Sequence, residues 1–226
     1  MPPLPPFPTL ETLFQQAKPL LGTPLLVIIA LGVMVAVAAR DWRLVLVSFV
    51  TVYAALAILT ATLLPPQWAL LRVVVGGMAG IIWYLSAQQA GWGGRFLPFQ
   101  RSQGVQARPL ATTSLLRILL ALALGGVLLA LRPRLPLAAV TSDVRFVVVW
   151  LAAFAVLGMA LGEEALQVGI SLLFWLAGTQ LLLAALEQNA WTFWLLSSLE
   201  LLLALATGYL MVTRGPVWRT EPEEAR

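Results

Sequence analysis

The sequence predicts an all-α, polytopic transmembrane helix bundle of about seven spans, and three observations carry that reading. Apolar residues make up 60% of the 226 residues and charged residues 11%, whereas a soluble domain carries about 25% charged residues. Mean hydropathy is +0.90. The charges that do occur cluster between uncharged runs, seven of which approach the roughly 20 residues that cross a bilayer.

Residues 1–20 read as a Pro-rich leader. Its start, MPPLPPFPTL, lacks the basic region of a secretory signal. From Thr9 the pattern changes: Leu10, Leu13, Phe14 and Ala17 recur at helical spacing opposite Glu11, Gln15, Gln16 and Lys18. This fits a short helix lying on the outer surface, or else a loosely ordered leader. The transmembrane domain, 21–213, contains candidate spans at Pro19 to Ala39, Leu44 to Leu64, Trp68 to Ser86, Leu110 to Leu131, Phe146 to Gly162, Ala165 to Leu186 and Ala190 to Val212. Arg72 and Arg117 fall about one turn inside the third and fourth, where snorkelling to the interface is the expected escape. The fifth is short for a span and is followed at once by Glu163 and Glu164.

Between the third and fourth spans a loop, 89–113, carries the longest polar connection, GWGGRFLPFQRSQGVQARP from Gly91 to Pro109. Its Trp92, Phe96, Phe99 and three arginines suit lipid head groups or a docked cytoplasmic subunit. Gly76, Gly77 and Gly80, and the pair Gly125 and Gly126, lie within apolar spans and predict close helix approach rather than a phosphate loop. With seven spans, Arg40, Arg43, Arg95, Arg101, Arg108, Arg214, Arg219 and Arg226 share one side, and Lys18, Arg132, Arg134 and Arg145 the other. The positive-inside rule then places the amino terminus outside and the tail 214–226 in the cytoplasm, consistent with a bacterial inner membrane. The pI near 10.3 reflects this arginine placement, so nucleic acid is not an expected partner.

The chain has no cysteine and no histidine, which removes disulfides, thiolate chemistry, the usual zinc sites and histidine-ligated haem. Lys18 is the only lysine and lies outside every span, which excludes a retinal-type Schiff base. No nucleophile and base pair or cofactor motif is present, so no catalytic residue, metal site or cofactor is expected.

Glu200 is the one ionisable residue in the run from Gln188 to Thr213, with twelve residues before it and thirteen after. A carboxylate near the bilayer centre costs several kcal/mol and marks an ion path or a buried pair. A hairpin centred between Gln188 and Asn189 sets Glu200 level with Ala177 and brings Gln180 and Thr179 within reach, with Ser197 and Ser198 a turn away. Such a site serves either as an ion relay or as a hydrogen-bonded contact between helices.

The segments GEEALQVGISLLFWLAGTQLLLAAL, from Gly162 to Leu186, and SSLELLLALATGYLMVTR, from Ser197 to Arg214, follow a basic turn at Arg40, Asp41 and Arg43 and a longer segment after the third span. In this order they resemble the E-type membrane subunit of formate-hydrogenlyase-like (group 4) hydrogenases. The last third is similar to the K-type small subunit of respiratory complex I. The resemblance implies two membrane glutamates on successive helices. Glu200 matches the second; the first falls near Leu176 in one register, while Glu164, 36 residues before Glu200, matches it in the other. The ion-path candidates are therefore Glu200, Gln180, Glu164 and Thr179. The expected function is that of an integral membrane subunit of a redox-driven proton or sodium translocating complex, embedded among other membrane subunits in the lipid bilayer. A stand-alone carrier or structural accessory protein is the alternative, although the spans show no inverted repeat.

Overall fold

A computed structural model describes residues 22–91, 110–131, 140–162, 164–187 and 190–213. The leader, the polar stretch of the loop after the third helix and the carboxyl-terminal tail lie outside them. The described residues form seven helices and no strand: α1 (Thr23–Ala38), α2 (Trp42–Thr60), α3 (Pro66–Gln89), α4 (Leu110–Leu131), α5 (Ser142–Leu161), α6 (Ala165–Leu186) and α7 (Ala190–Thr213). Five of them, α2, α3, α5, α6 and α7, are long and apolar enough to cross a membrane. Their outward faces present large apolar side chains such as Val47, Ile81, Val156, Leu195 and Leu202 to the exterior. A surface of that kind is matched by lipid and not by water, and the chain is an integral membrane protein.

Local chemistry explains the helix limits. Gly22, at φ 95°, turns the chain into α1, whose first turn contains Pro24. At the next corner the Asp41 carboxylate accepts from the Arg43 backbone N–H at 3.0 Å and caps α2. Pro65 ends the following turn and Pro66 opens α3. The short fifth span needs correction: α5 begins at Ser142, four residues before Phe146, and runs for 20 residues. Its first turn takes in Asp143 and Arg145, polar residues that a reading based on uncharged runs leaves outside.

Side-chain contacts fix the directions. Gln180 faces Ser197, so α6 and α7 run antiparallel in the register expected of their hairpin. Trp150, eight residues into α5, donates its indole N–H to the carbonyl of Ala30, seven residues into α1, and these two helices run parallel. Trp83 of α3 donates likewise to Ala204 of α7, and Trp68 packs on Phe193 near the starts of the same two helices. Neighbour follows neighbour in a closed ring, α1, α2, α3, α7, α6, α5, while α2 and α1 also reach α6 across the middle and α4 lies outside on α1 and α5. Phe49, Tyr53, Trp83 and Phe174 form an aromatic centre, with Phe49 4.5 Å from Tyr53 and 4.9 Å from Trp83 between ring centroids.

The glycines divide. A Cβ on Gly76 meets the Tyr53 ring at 2.6 Å, one on Gly80 meets Val50 at 3.0 Å, and one on Gly125 meets Trp150 at 3.2 Å. These are the close approaches that the sequence suggested. Gly77 and Gly126 meet nothing within 4 Å, so neither marks a helix contact among the described residues. Gly76→Ala is expected to overpack the α2–α3 seam and cost about 1–3 kcal/mol, whereas Gly77→Ala should be neutral or slightly stabilising. Thermal denaturation of the two variants in one detergent tests the distinction, and equal melting temperatures would contradict it.

Candidate functional site

Glu200 lies ten residues from Ala190 and thirteen from Thr213, close to the middle of α7. It is 1% exposed. The ring of helices turns it inward, toward α2, α3 and α6, rather than toward lipid.

Arg72 is the residue that sequence reasoning misplaced. It stands six residues into α3, about 9 Å of helix rise from the end, and snorkelling would carry its guanidinium outward. The side chain turns inward instead and is 1% exposed. Its Nη2 donates to the carbonyl of Ala177 at 2.9 Å. That carbonyl lies on α6 at the level the hairpin register gives to Glu200. The guanidinium carbon sits 5.7 Å from the centre of the Tyr53 ring, close enough for a cation–π contact. Tyr53 in turn donates its hydroxyl to the Leu173 carbonyl at 3.4 Å. Gly76, one turn beyond Arg72 on the same helix, lets the tyrosine ring lie beneath the guanidinium.

Arg72 and Tyr53 both face Glu200 closely enough to interact with it, yet both buried carboxylate oxygens fall short of full hydrogen-bond geometry with either. Arg72 Nε and Nη1 and Gln180 Oε1 are in the same condition. These five unmatched polar atoms, on α3, α6 and α7, gather in one region of an otherwise apolar bundle. Buried polar atoms left unmatched cost about 1–3 kcal/mol each and call for water, a proton or an ion between them.

The other candidates separate. Gln180 is buried and belongs to the site, but its Nε2 donates to Ser197 Oγ at 2.9 Å and to the Phe193 carbonyl at 3.2 Å rather than to Glu200. Thr179 returns its hydroxyl to Trp175 on its own helix and takes no part. Ser198 does the same with Trp194. Glu164 is exposed at the start of α6, far along the helix from Ala177, and does not join Glu200. Leu176, the position assigned to an acid in one register, remains an apolar residue of α6.

Arg117 also fails to snorkel. It is 5% exposed and ties the tight α5–α6 connection, donating to the Leu161 carbonyl at 2.7 Å and to Gln167 Oε1 at 3.1 Å. The last carbonyls of a helix have no partner in their own ladder, and an arginine there both bonds them and suits the negative end of the helix dipole. Apolar run length alone does not show which way a long cation near a span's end will turn. The signal available for Arg72 was its four-residue spacing from Gly76, which gives a guanidinium a small-residue face to lie along.

Comparison with protein-family models found no family that matches, and neither the curated proteins nor the solved structures yielded a match.

Opposite charges buried in one bundle are coupled. Arg72→Leu and Glu200→Leu are each expected to destabilise the folded protein, by about 3–5 kcal/mol for whichever loss leaves a charge unanswered. The double variant should lose less than the sum of the two. Melting curves of the four proteins in one detergent measure the coupling, and strictly additive losses would show that the two side chains act independently.

Proposed function

We propose that this chain is a membrane subunit of a multi-subunit, redox-driven complex that moves protons or sodium ions, of the complex I or membrane-hydrogenase kind, with Glu200 in its ion path. The observation that carries the reading is the Glu200 carboxylate, central in a membrane helix, facing a buried arginine and a tyrosine without full hydrogen-bond geometry to either. A group held ready in this way exchanges a proton or cation more readily than one locked in a full set of hydrogen bonds. Gln180 and Ser197 line the approach and serve to position water or the acid, since neither carries charge.

The proposal takes all seven helices as spans, with the amino terminus outside and the carboxyl terminus in the cytoplasm of a bacterial cell. Two further points support that count. α4 and the shorter α1 pack alongside the five long helices, and α1 still covers about 24 Å at its 16 residues. The larger share of arginine falls in the connections on the proposed inner side. Among the described residues the outward faces are dominated by large apolar side chains, which suits a subunit embedded among others better than a carrier with its own substrate path. The bond between Gln180 and Ser197 favours the second reading, an accessory protein whose polar residues serve only to fasten helices.

In the complex purified from native membranes, Glu200→Gln should leave assembly intact and slow ion translocation per electron transferred, because the amide keeps the size and loses the charge. Glu200→Leu should impair both. Translocation measured in sealed vesicles decides the matter: an unchanged rate and ratio in Glu200→Gln would remove the acid from conduction and leave the structural reading. Topology is separately open to test, because the chain has no native cysteine. Gln103→Cys should be protected from an impermeant thiol reagent added outside and labelled only after the membrane is opened.

A further inference from the structure

A proton and a sodium ion add the same charge to the Glu200 site and differ in the ligands they need. A hard cation collects a shell of about six oxygens. In membrane proteins the backbone supplies many of them where a helix is interrupted and its carbonyls are freed. Here α2, α3, α6 and α7 run unbroken. Four carbonyls that turn toward this interior already accept a side-chain donor: Ala177 from Arg72, Leu173 from Tyr53, Phe193 from Gln180 and Ala204 from Trp83. A carbonyl has two lone pairs, one used in the helix ladder and the second taken by that donor.

The side-chain oxygens left over are few. Glu200 Oε1 and Oε2 and Gln180 Oε1 are buried without a partner, and Arg72 Nε and Nη1 stay unmatched beside the carboxylate. The other described acids, Asp41, Asp143, Glu164 and Glu187, stand at helix ends, so none of them joins Glu200. A sodium ion on this carboxylate has too few ligands and a guanidinium, a like charge, at the same place. A proton needs one oxygen. Its charge passes into an O–H bond, and Arg72 stays answered by the Ala177 carbonyl and the face of the Tyr53 ring.

On the reading that places Glu200 in an ion path, we infer that the ion exchanged there is the proton, delivered through water that bridges Arg72, Gln180 and the carboxylate, and that the site excludes sodium. A buried water takes about two to four polar partners, and two donor nitrogens and three acceptor oxygens stand unmatched here. In the forward step an O–H bond of a hydronium breaks as one forms on a Glu200 oxygen, leaving water and a neutral carboxyl. The reverse step returns the proton and restores the carboxylate. Arg72 of α3 and Tyr53 of α2 are the titratable groups that face the carboxylate, and α6 contributes the uncharged Gln180.

Infrared difference spectra of the full-length chain reconstituted in lipid follow the carbonyl band of a protonated carboxyl through a pH titration. Subtraction of the Glu200→Gln spectra isolates the band of this residue. It should appear and vanish about one midpoint, shift in heavy water as deuterium replaces the proton, and keep its midpoint when sodium chloride replaces choline chloride. A sodium ion competing for the carboxylate lowers that midpoint by about one pH unit for each tenfold rise in sodium above its dissociation constant. Such a shift would overturn the choice of the proton and leave Glu200 an ion site. A carboxyl that fails to titrate, or one sealed against heavy water, would overturn this inference and the ion-path reading together. If Glu200→Gln fails to fold, Glu200→Asp, which moves the band, assigns it instead.

Discussion

A charge inside a membrane bundle has to be answered by other parts of the protein, because hydrocarbon supplies no hydrogen bonds and little dielectric relief. The opposition of Arg72 and Glu200 imposes that requirement on four helices at once. α3 supplies the arginine, α6 the carbonyl that it bonds, α2 the aromatic ring beneath it, and α7 the carboxylate that faces it. Around this centre the bundle uses one device repeatedly. Arg72, Tyr53, Trp83 and Trp150 each donate to a carbonyl of another helix, and a carbonyl already bonded within its helix still has a second lone pair to accept them.

The device works for donors and leaves acceptors unmet. Helix backbones in mid-span offer carbonyl lone pairs but no spare N–H groups, so a buried carboxylate obtains nothing from them. Glu200 can be satisfied only by side-chain donors, by water or by an exchanging ion. Its two nearest donors are drawn toward carbonyls of α6, Arg72 Nη2 to Ala177 and the Tyr53 hydroxyl to Leu173, while Arg72 Nε and Nη1 stay unmatched beside the carboxylate. The arginine fits the site because its surroundings are carbonyls and aromatic faces; the glutamate stays unmatched for the same reason. This asymmetry separates Glu200 from an ordinary polar fastening such as that of Gln180 to Ser197, where a donor meets an acceptor directly.

Much of the architecture was legible because it depends on local quantities. Apolar run length located all seven helices, with α4 and α6 ending at the residues read from the sequence. The α6–α7 register followed from hairpin geometry, and Gln180 accordingly meets Ser197, about one turn before Glu200 on α7. What stayed hidden depends on neighbours. Whether Arg72 turns outward or inward is decided by Tyr53 and Ala177, which lie on helices remote in sequence. The start of α5 was missed because Asp143 and Arg145 look like loop residues until the partner helix beside them is known. Gly77 and Gly126 resemble their neighbours Gly76 and Gly125 in sequence, and only the rotation of each helix shows that they face outward.

The polar groups around Glu200 are distributed unevenly along the membrane normal. Ser197, Gln180 and Arg72 all lie between it and the end at which α3 and α7 begin. In the other direction the carbonyl of Ala204 is taken by Trp83, and Thr207 spends its hydroxyl on Leu203 of its own helix. The large side chains Trp83, Phe49 and Phe174 pack that half of the interior. A conducting role for Glu200 therefore requires more than the static bundle provides: access from one face follows the existing polar side chains, while release toward the other requires Trp83 and its neighbours to move or a further helix to contribute donors. A subunit within a larger assembly meets that requirement through its partners, whereas an isolated bundle has to open its own aromatic core.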